Sequence, residues 1–149
     1  TLHTNSAPET LTRLRNMGVA AFNLATSVNL IVAQRLGRRL CGCKEKLEVP
    51  DSALLEAGFT AAQLAEPFEV FGPTGCQKCS SGYKGRVGIY EVMKVTPEIR
   101  KIIMEDGNAL QIGEVSASEG FGTIYESGLR KVISGATSLA EINRVTSGH

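Results

Sequence analysis

Apolar positions along the chain fall into short runs whose spacing switches between helical and alternating. Leu11 and Leu14 recur at helical spacing behind Ser6-Ala7-Pro8-Glu9. Ser6 is a candidate cap, Pro8 suits a first turn, and Glu9 complements the helix dipole; Gly18 ends the run. Residues 1–7 read as a strand end and loop ahead of this helix. A second short helix is predicted around Ala21 to Ser27. Val28 to Leu36 is rich in β-branched residues and predicts a strand, with a helix left open because short apolar runs are ambiguous. Pro50 to Gly58 predicts a helix stopped by its glycine, and Thr60 caps a further helical turn reaching Leu64. Phe68 to Phe71 and Gly85 to Met93 alternate and predict strands. Thr96 caps a helix from Pro97 to Glu105. Helices are then predicted from Ala109 to Glu119, Thr123 to Ser134 and Ser138 to Thr146, punctuated by Gly120, Gly122 and Gly135. The class is α+β and helix-rich.

Composition narrows the function classes. The chain has 149 residues, 42% of them hydrophobic, enough for one ordinary domain with a real core. A net charge of +1, with five Phe, three Tyr and no Trp, argues against a general nucleic-acid binder. No apolar run approaches the roughly 18 residues of a membrane span, and no signal peptide is visible. The opening Thr1-Leu2-His3-Thr4 has no initiator Met and reads as a strand end, so a fragment of a longer protein is expected.

All four cysteines lie between positions 41 and 79, as Cys41-Gly42-Cys43 and Cys76-Gln77-Lys78-Cys79, with 32 residues between the pairs. Zinc takes four thiolates at tetrahedral corners, and each close pair supplies two corners from one tight turn. Gly42, Pro73 and Gly75 suit such turns. The first pair is C-x-C, one residue shorter than the common spacing, and has a tighter bite. A structural zinc bound by Cys41, Cys43, Cys76 and Cys79 is expected. Two disulfides, a redox pair or free core thiols are the other readings of the same residues.

The remaining chemistry is sparse. Gly72-Pro73-Thr74-Gly75-Cys76-Gln77-Lys78-Cys79 echoes a phosphate-binding loop, but Gln77 stands where the second glycine belongs and Cys79 where the hydroxyl belongs. Arg35, Arg38, Arg39, Lys44 and Lys46 form either a solvated basic edge or a phosphate contact. Gly82-Tyr83-Lys84-Gly85-Arg86 is either a plain hairpin or a turn that brings backbone and Arg86 to a ligand. His3 is a surface, packing or functional histidine, and His149 is terminal. No set of residues forms a complete active site.

Four segments, in order, resemble the C-terminal part of the hexameric secretion ATPases, specifically the PilB-type pilus assembly ATPases and their type II secretion relatives. Thr1-Leu2-His3-Thr4-Asn5 with Thr10-Leu11-Thr12-Arg13-Leu14 resembles the family's histidine box. Ala33-Gln34-Arg35-Leu36 through Arg39-Leu40-Cys41 resembles the strand leading to its metal lobe. Gly75-Cys76 to Cys79 resembles half of its tetracysteine motif, and Gly82 to Glu91 its signature thereafter. The C-x-C pair departs from the family's usual C-x-x-C.

The resemblance implies a RecA-like core over residues 1–40, a tetracysteine zinc lobe over 41–79, and a strand with a C-terminal helical bundle over 80–149. It implies a homo-hexamer, cytoplasmic at the inner-membrane face, that uses ATP and magnesium to drive a membrane platform protein. It implies His3 near the γ-phosphate, Arg86 near the bound nucleotide and Arg13 in support. The phosphate-binding loop would lie upstream, so this fragment alone is expected to be inactive. The rival is a stand-alone zinc-ribbon module that binds nucleic acid or protein through the basic cluster.

Overall fold

The computed structural model describes residues 2–146; Thr1 and His149 lie outside the described residues. In chain order the elements are α1 (Ala7–Asn16), α2 (Ala21–Ser27), β1 (Leu30–Leu40), β2 (Glu45–Leu47), α3 (Asp51–Ala57), α4 (Ala61–Ala65), β3 (Val70–Gly72), β4 (Tyr83–Lys94), α5 (Pro97–Met104), α6 (Ala109–Ser118), α7 (Ile124–Ile133) and α8 (Leu139–Thr146). The chain is helix-rich α+β. β1 pairs with β4, and β2 pairs antiparallel with β3 through Glu45↔Gly72, Lys46↔Phe71 and Leu47↔Val70.

Local chemistry explains several helix starts. The Ser6 hydroxyl accepts the Glu9 N–H, and the Thr96 hydroxyl accepts the Ile99 N–H. Thr60 with Gln63, and Asn108 with Gln111, each form a reciprocal capping box that satisfies two otherwise orphaned donors. Gly58 ends α3 at φ 114, a conformation that L side chains rarely adopt.

Four expectations change. Residues 2–6 form no strand. β1 starts two residues later than expected and runs on to Leu40, because a pairing partner in β4 carries it past the apolar run. β3 begins at Val70 rather than Phe68, and its partner β2 was not expected at all. The glycine-flanked stretch at 82–86 is not a turn in itself. The turn is Ser80–Tyr83, closed by reciprocal backbone hydrogen bonds of 2.9 and 3.0 Å. Its central residues, Ser81 (φ 55) and Gly82 (φ 93), have the positive φ that two-residue hairpins need, and Lys84 and Arg86 are exposed strand residues.

The chain forms two compact units. One comprises the described residues up to Gln34 together with Tyr90–Ile124. Its core joins Leu11 of α1 and Leu24 of α2 to Met93, Ile99, Ile103 and Ile112. The other comprises Arg35–Ile89 with the described residues from Tyr125 onward. In this second unit Glu141, only 1% exposed, accepts the Arg38 N–H at 3.0 Å, the Arg38 guanidinium at 3.0 Å and the guanidinium of Arg144. Arg38 also lies 4.2 Å from the centre of the Tyr83 ring, whose hydroxyl bonds Ser138 at 2.7 Å. The Arg144 guanidinium, and then Arg38, hold the Glu141 carboxyl down to about 2 against the opposing effect of burial.

A depressed carboxyl stabilises the folded state above its unfolded value near 4.3, and that contribution is lost as pH falls toward the folded value. Both guanidinium groups are about half exposed, so solvent screens the pair. Glu141→Gln is expected to lower stability by about 2 kcal/mol at pH 7. Urea unfolding at pH 7, 5 and 3 should show the gap from wild type shrinking as the pH drops below about 5. An equal gap at all three values would assign the effect to packing.

Candidate functional site

The cysteines converge within the second unit. Cys41 follows β1 directly, and its N–H donates to the Gly82 carbonyl at 2.9 Å. The Lys44 N–H returns to the Cys41 carbonyl at 3.0 Å, closing a tight turn around Gly42. The second turn is built the same way, with the Cys79 N–H on the Cys76 carbonyl at 3.4 Å. There the N–H groups of Cys76 and Lys78 aim at sulfur, at 3.2 Å from Cys79 Sγ and 3.4 Å from Cys76 Sγ. The stretch that echoed a phosphate-binding loop therefore directs these amides at its own sulfurs.

Sulfur positions decide what the cluster can do. Cys41 Sγ lies 3.8 Å from Cys76 Sγ, Cys43 Sγ 3.8 Å from Cys79 Sγ, and Cys76 Sγ 3.6 Å from Cys79 Sγ. All four ligand atoms fall within 4.8 Å of one another. A tetrahedron of thiolates about 2.3 Å from a zinc ion has edges of about 3.8 Å. A disulfide needs about 2.05 Å, and all four cysteines are free. The C-x-C pair reaches the cluster despite its shorter spacing. The four residues could hold a metal ion, and with every corner a protein thiolate none is left for a substrate.

Electrostatics of the four thiols are uneven. Hydrogen bonding by Thr74, then by the Gly75 backbone, pulls the Cys43 thiol down to about 6. At Cys76 the Lys78 N–H also favours the thiolate, but Cys79, desolvation and the other sulfurs outweigh it and push the thiol up to about 11. Adjacent thiolates repel, and a divalent cation between them removes that penalty.

The turn after the second pair is fitted closely to this site. A Cβ on Gly82 would stand 2.4 Å from Pro73 Cβ and 2.9 Å from the Thr74 nitrogen. Glycine is required there twice over, by its positive φ and by the backbone it touches. Lys44 anchors the other side, donating to the Gly135 carbonyl at 2.8 Å while its Nζ sits 4.3 Å from the Phe71 ring centre.

Most of the basic cluster is thereby engaged in the fold. Arg38 binds Glu141, Lys44 binds Gly135, and Lys46 lies 3.5 Å from Glu69. These pairings favour neither a phosphate-binding edge nor a nucleic-acid surface. In the first unit, His3 and Arg13 are both exposed and border one hollow of about 230 Å³ with Asn5, Thr12 and Asn16. The buried Thr12 hydroxyl has no hydrogen-bond partner among the described residues. Arg86 stands exposed on β4 in the second unit.

Two buried carboxylates escaped the sequence reading. Glu141 and Glu91 sit in helix-like and strand-like runs where an acid usually faces solvent. The available signals were Ile142 beside Glu141 and, for Glu91, the alternation that puts it on the strand face of Ile89 and Met93.

Comparison with known proteins agrees with this architecture. The family model described as "Type II/IV secretion system protein" matches residues 1–144. The chain is 66% identical over 149 residues to the type IV pilus assembly ATPase PilB of Acinetobacter baylyi, covering 99% of this chain and 26% of that protein. It is 59% identical over 147 residues to PilB of Pseudomonas aeruginosa, covering 98% and 26%. It is 45% identical over 150 residues to the putative type II secretion system protein E of Escherichia coli, covering 99% and 29%. The chain thus spans about a quarter of the length of these relatives. With residues 1–144 matched by its model, the chain belongs to the type II/IV secretion system protein family.

Proposed function

We propose that the chain is the C-terminal portion of a hexameric ATPase that powers type IV pilus assembly. The observation that carries this reading is the match to two pilus assembly ATPases across nearly the whole chain. In this reading residues 1–40 complete a RecA-like core, 41–79 form a structural zinc lobe, and 80–149 supply a strand and a helical bundle. The full-length protein hydrolyses ATP with magnesium. It works in the cytoplasm at the inner-membrane face, against a membrane platform protein. Among the described residues no helix is long and apolar enough to cross a membrane.

His3 is assigned to the γ-phosphate, Arg86 to the nucleotide, and Arg13 to supporting the histidine segment. The shared hollow of His3 and Arg13 favours that last pairing. Among the described residues no ion pair engages Arg86 as one does Arg38 and Arg144, which favours a guanidinium open to a phosphate or ribose. Zinc is the metal assigned to Cys41, Cys43, Cys76 and Cys79, because four thiolates at tetrahedral spacing suit zinc and leave it no catalytic position.

The isolated chain is expected to show no ATP turnover, since hydrolysis needs phosphates and magnesium held in place and its one loop of suitable outline faces sulfur. Turnover that survives purification and scales with protein concentration would refute this. In the full-length enzyme, His3→Ala should chiefly lower kcat, because a γ-phosphate contact changes during the reaction. Arg86→Ala should chiefly weaken nucleotide binding, by on the order of 1.5–3 kcal/mol for a lost charge-assisted hydrogen bond. Steady-state kinetics on folded hexamers separates the two, and wild-type behaviour in both variants would remove the nucleotide assignment.

Metal analysis of protein prepared without chelator should give one zinc per chain. EDTA, or Cys76→Ser, should raise hydrogen exchange first across residues 41–79 and leave the C-terminal helices mostly protected. Substoichiometric zinc, with equal protection before and after EDTA, would mean that packing alone holds the lobe.

A further inference from the structure

Glu91 is a buried carboxylate that the proposed chemistry does not use. It lies on β4 between the exposed Tyr90 and Val92, so the strand's alternation turns it inward, where it is 6% exposed. None of the ion pairs among the described residues includes it. A carboxylate in such a place is costly unless hydrogen bonds replace its water. Glu91 obtains two, one on each oxygen. Oε1 accepts the Ala7 N–H at 2.6 Å, and Oε2 accepts the Ile124 N–H at 2.8 Å.

Both donors are first residues of helices, α1 and α7. Such N–H groups have no partner inside their own helix, and the helix dipole favours an anion beside them. Since Ser6 already caps α1 locally at the Glu9 N–H, Glu91 adds a second, long-range tie across 84 positions of sequence.

That tie acts on the segment carrying His3. The Thr4 and Thr10 hydroxyls lie 2.7 Å apart, the Thr10 hydroxyl donates to the Ser6 carbonyl at 3.2 Å, and the Asn5 N–H donates to Glu9 Oε2 at 3.3 Å. Residues 4–6 and the first turn of α1 are therefore laced into one piece. Glu91 fastens that piece to β4 at Ala7, four residues from His3.

We propose that Glu91 is a positioning residue for nucleotide hydrolysis, setting the place of His3 by holding the start of α1; the proposal rests on the ATPase reading above. Misplacing a reacting group by about 1 Å can lower a rate by about 100-fold. A role confined to position predicts a fall in kcat without a matching loss of nucleotide binding.

The test uses the full-length enzyme with wild type, His3→Ala, Glu91→Gln and Glu91→Asp. Glutamine has the shape of glutamate but only one acceptor oxygen, so one of the two N–H groups would face an NH₂ donor. Aspartate keeps both acceptors but draws them back by one methylene. Glu91→Gln should lower kcat by about 10- to 100-fold with nucleotide KM within about twofold, and its Ala7 amide should exchange faster. Glu91→Asp should fall between Glu91→Gln and wild type. If Glu91→Gln does not fold, the kcat and KM of Glu91→Asp carry the same test. If His3→Ala slows turnover while the folded Glu91 variants match wild type, the positioning role is wrong and the ATPase reading stands. KM rising in step with the fall in kcat would assign Glu91 a merely structural role. No turnover by wild type, or none lost on His3→Ala, would overturn the nucleotide assignment and this proposal with it.

Discussion

Four sulfurs held within 4.8 Å of one another are the constraint on which the second unit is built. Four thiols at that spacing cannot all ionise without a cation, and a disulfide is not formed. The 32 residues looped out between the pairs contribute few buried large side chains, chiefly Leu54, Phe59 and Val70. So small a core closes a long loop poorly, and a metal bound to all four thiolates would supply what packing lacks. The backbone around the cluster is arranged for this. Gly82 gives its carbonyl to Cys41 while its missing Cβ admits Pro73, so the two knuckles are set by one tight turn.

Two buried carboxylates organise the described residues by different means. Glu141 is matched by two guanidinium groups, a charge pair whose outer members stay half in water. Glu91 is matched by two backbone donors with no cation on either oxygen. The first device stabilises mainly through the charged state of a carboxyl held low. The second satisfies N–H groups that helix geometry leaves without partners. Removing Glu91 strands its two N–H partners in a poorly solvated place, which matters more than the bond energy itself, whereas the guanidinium partners of Glu141 keep access to water.

Much of this was legible in the sequence where physics is local. Ser6, Thr60 and Thr96 were readable as caps because each acts on an N–H three residues away. The cysteine cluster was readable because two close pairs can meet only a few ways. β2 was not, since Glu45-Lys46-Leu47 is wholly exposed and becomes a strand only through its partner β3. The end of β1 was hidden for the same reason, as Arg38 and Arg39 continue the strand against apolar expectation. Arg38 looked like part of a solvated or phosphate-binding edge because its partner, Glu141, lies 103 positions away. Glu91 had no signal beyond its alternation within β4, because its partners are amides that every residue but proline carries.

The central claim is that four thiolates, and no other ligand, surround one zinc ion. X-ray absorption at the zinc edge of the protein as purified tests it most directly. The account predicts a single shell of four sulfur scatterers at about 2.3 Å. A shell containing nitrogen or oxygen at about 2.0–2.1 Å, or fewer than four sulfurs, would contradict it.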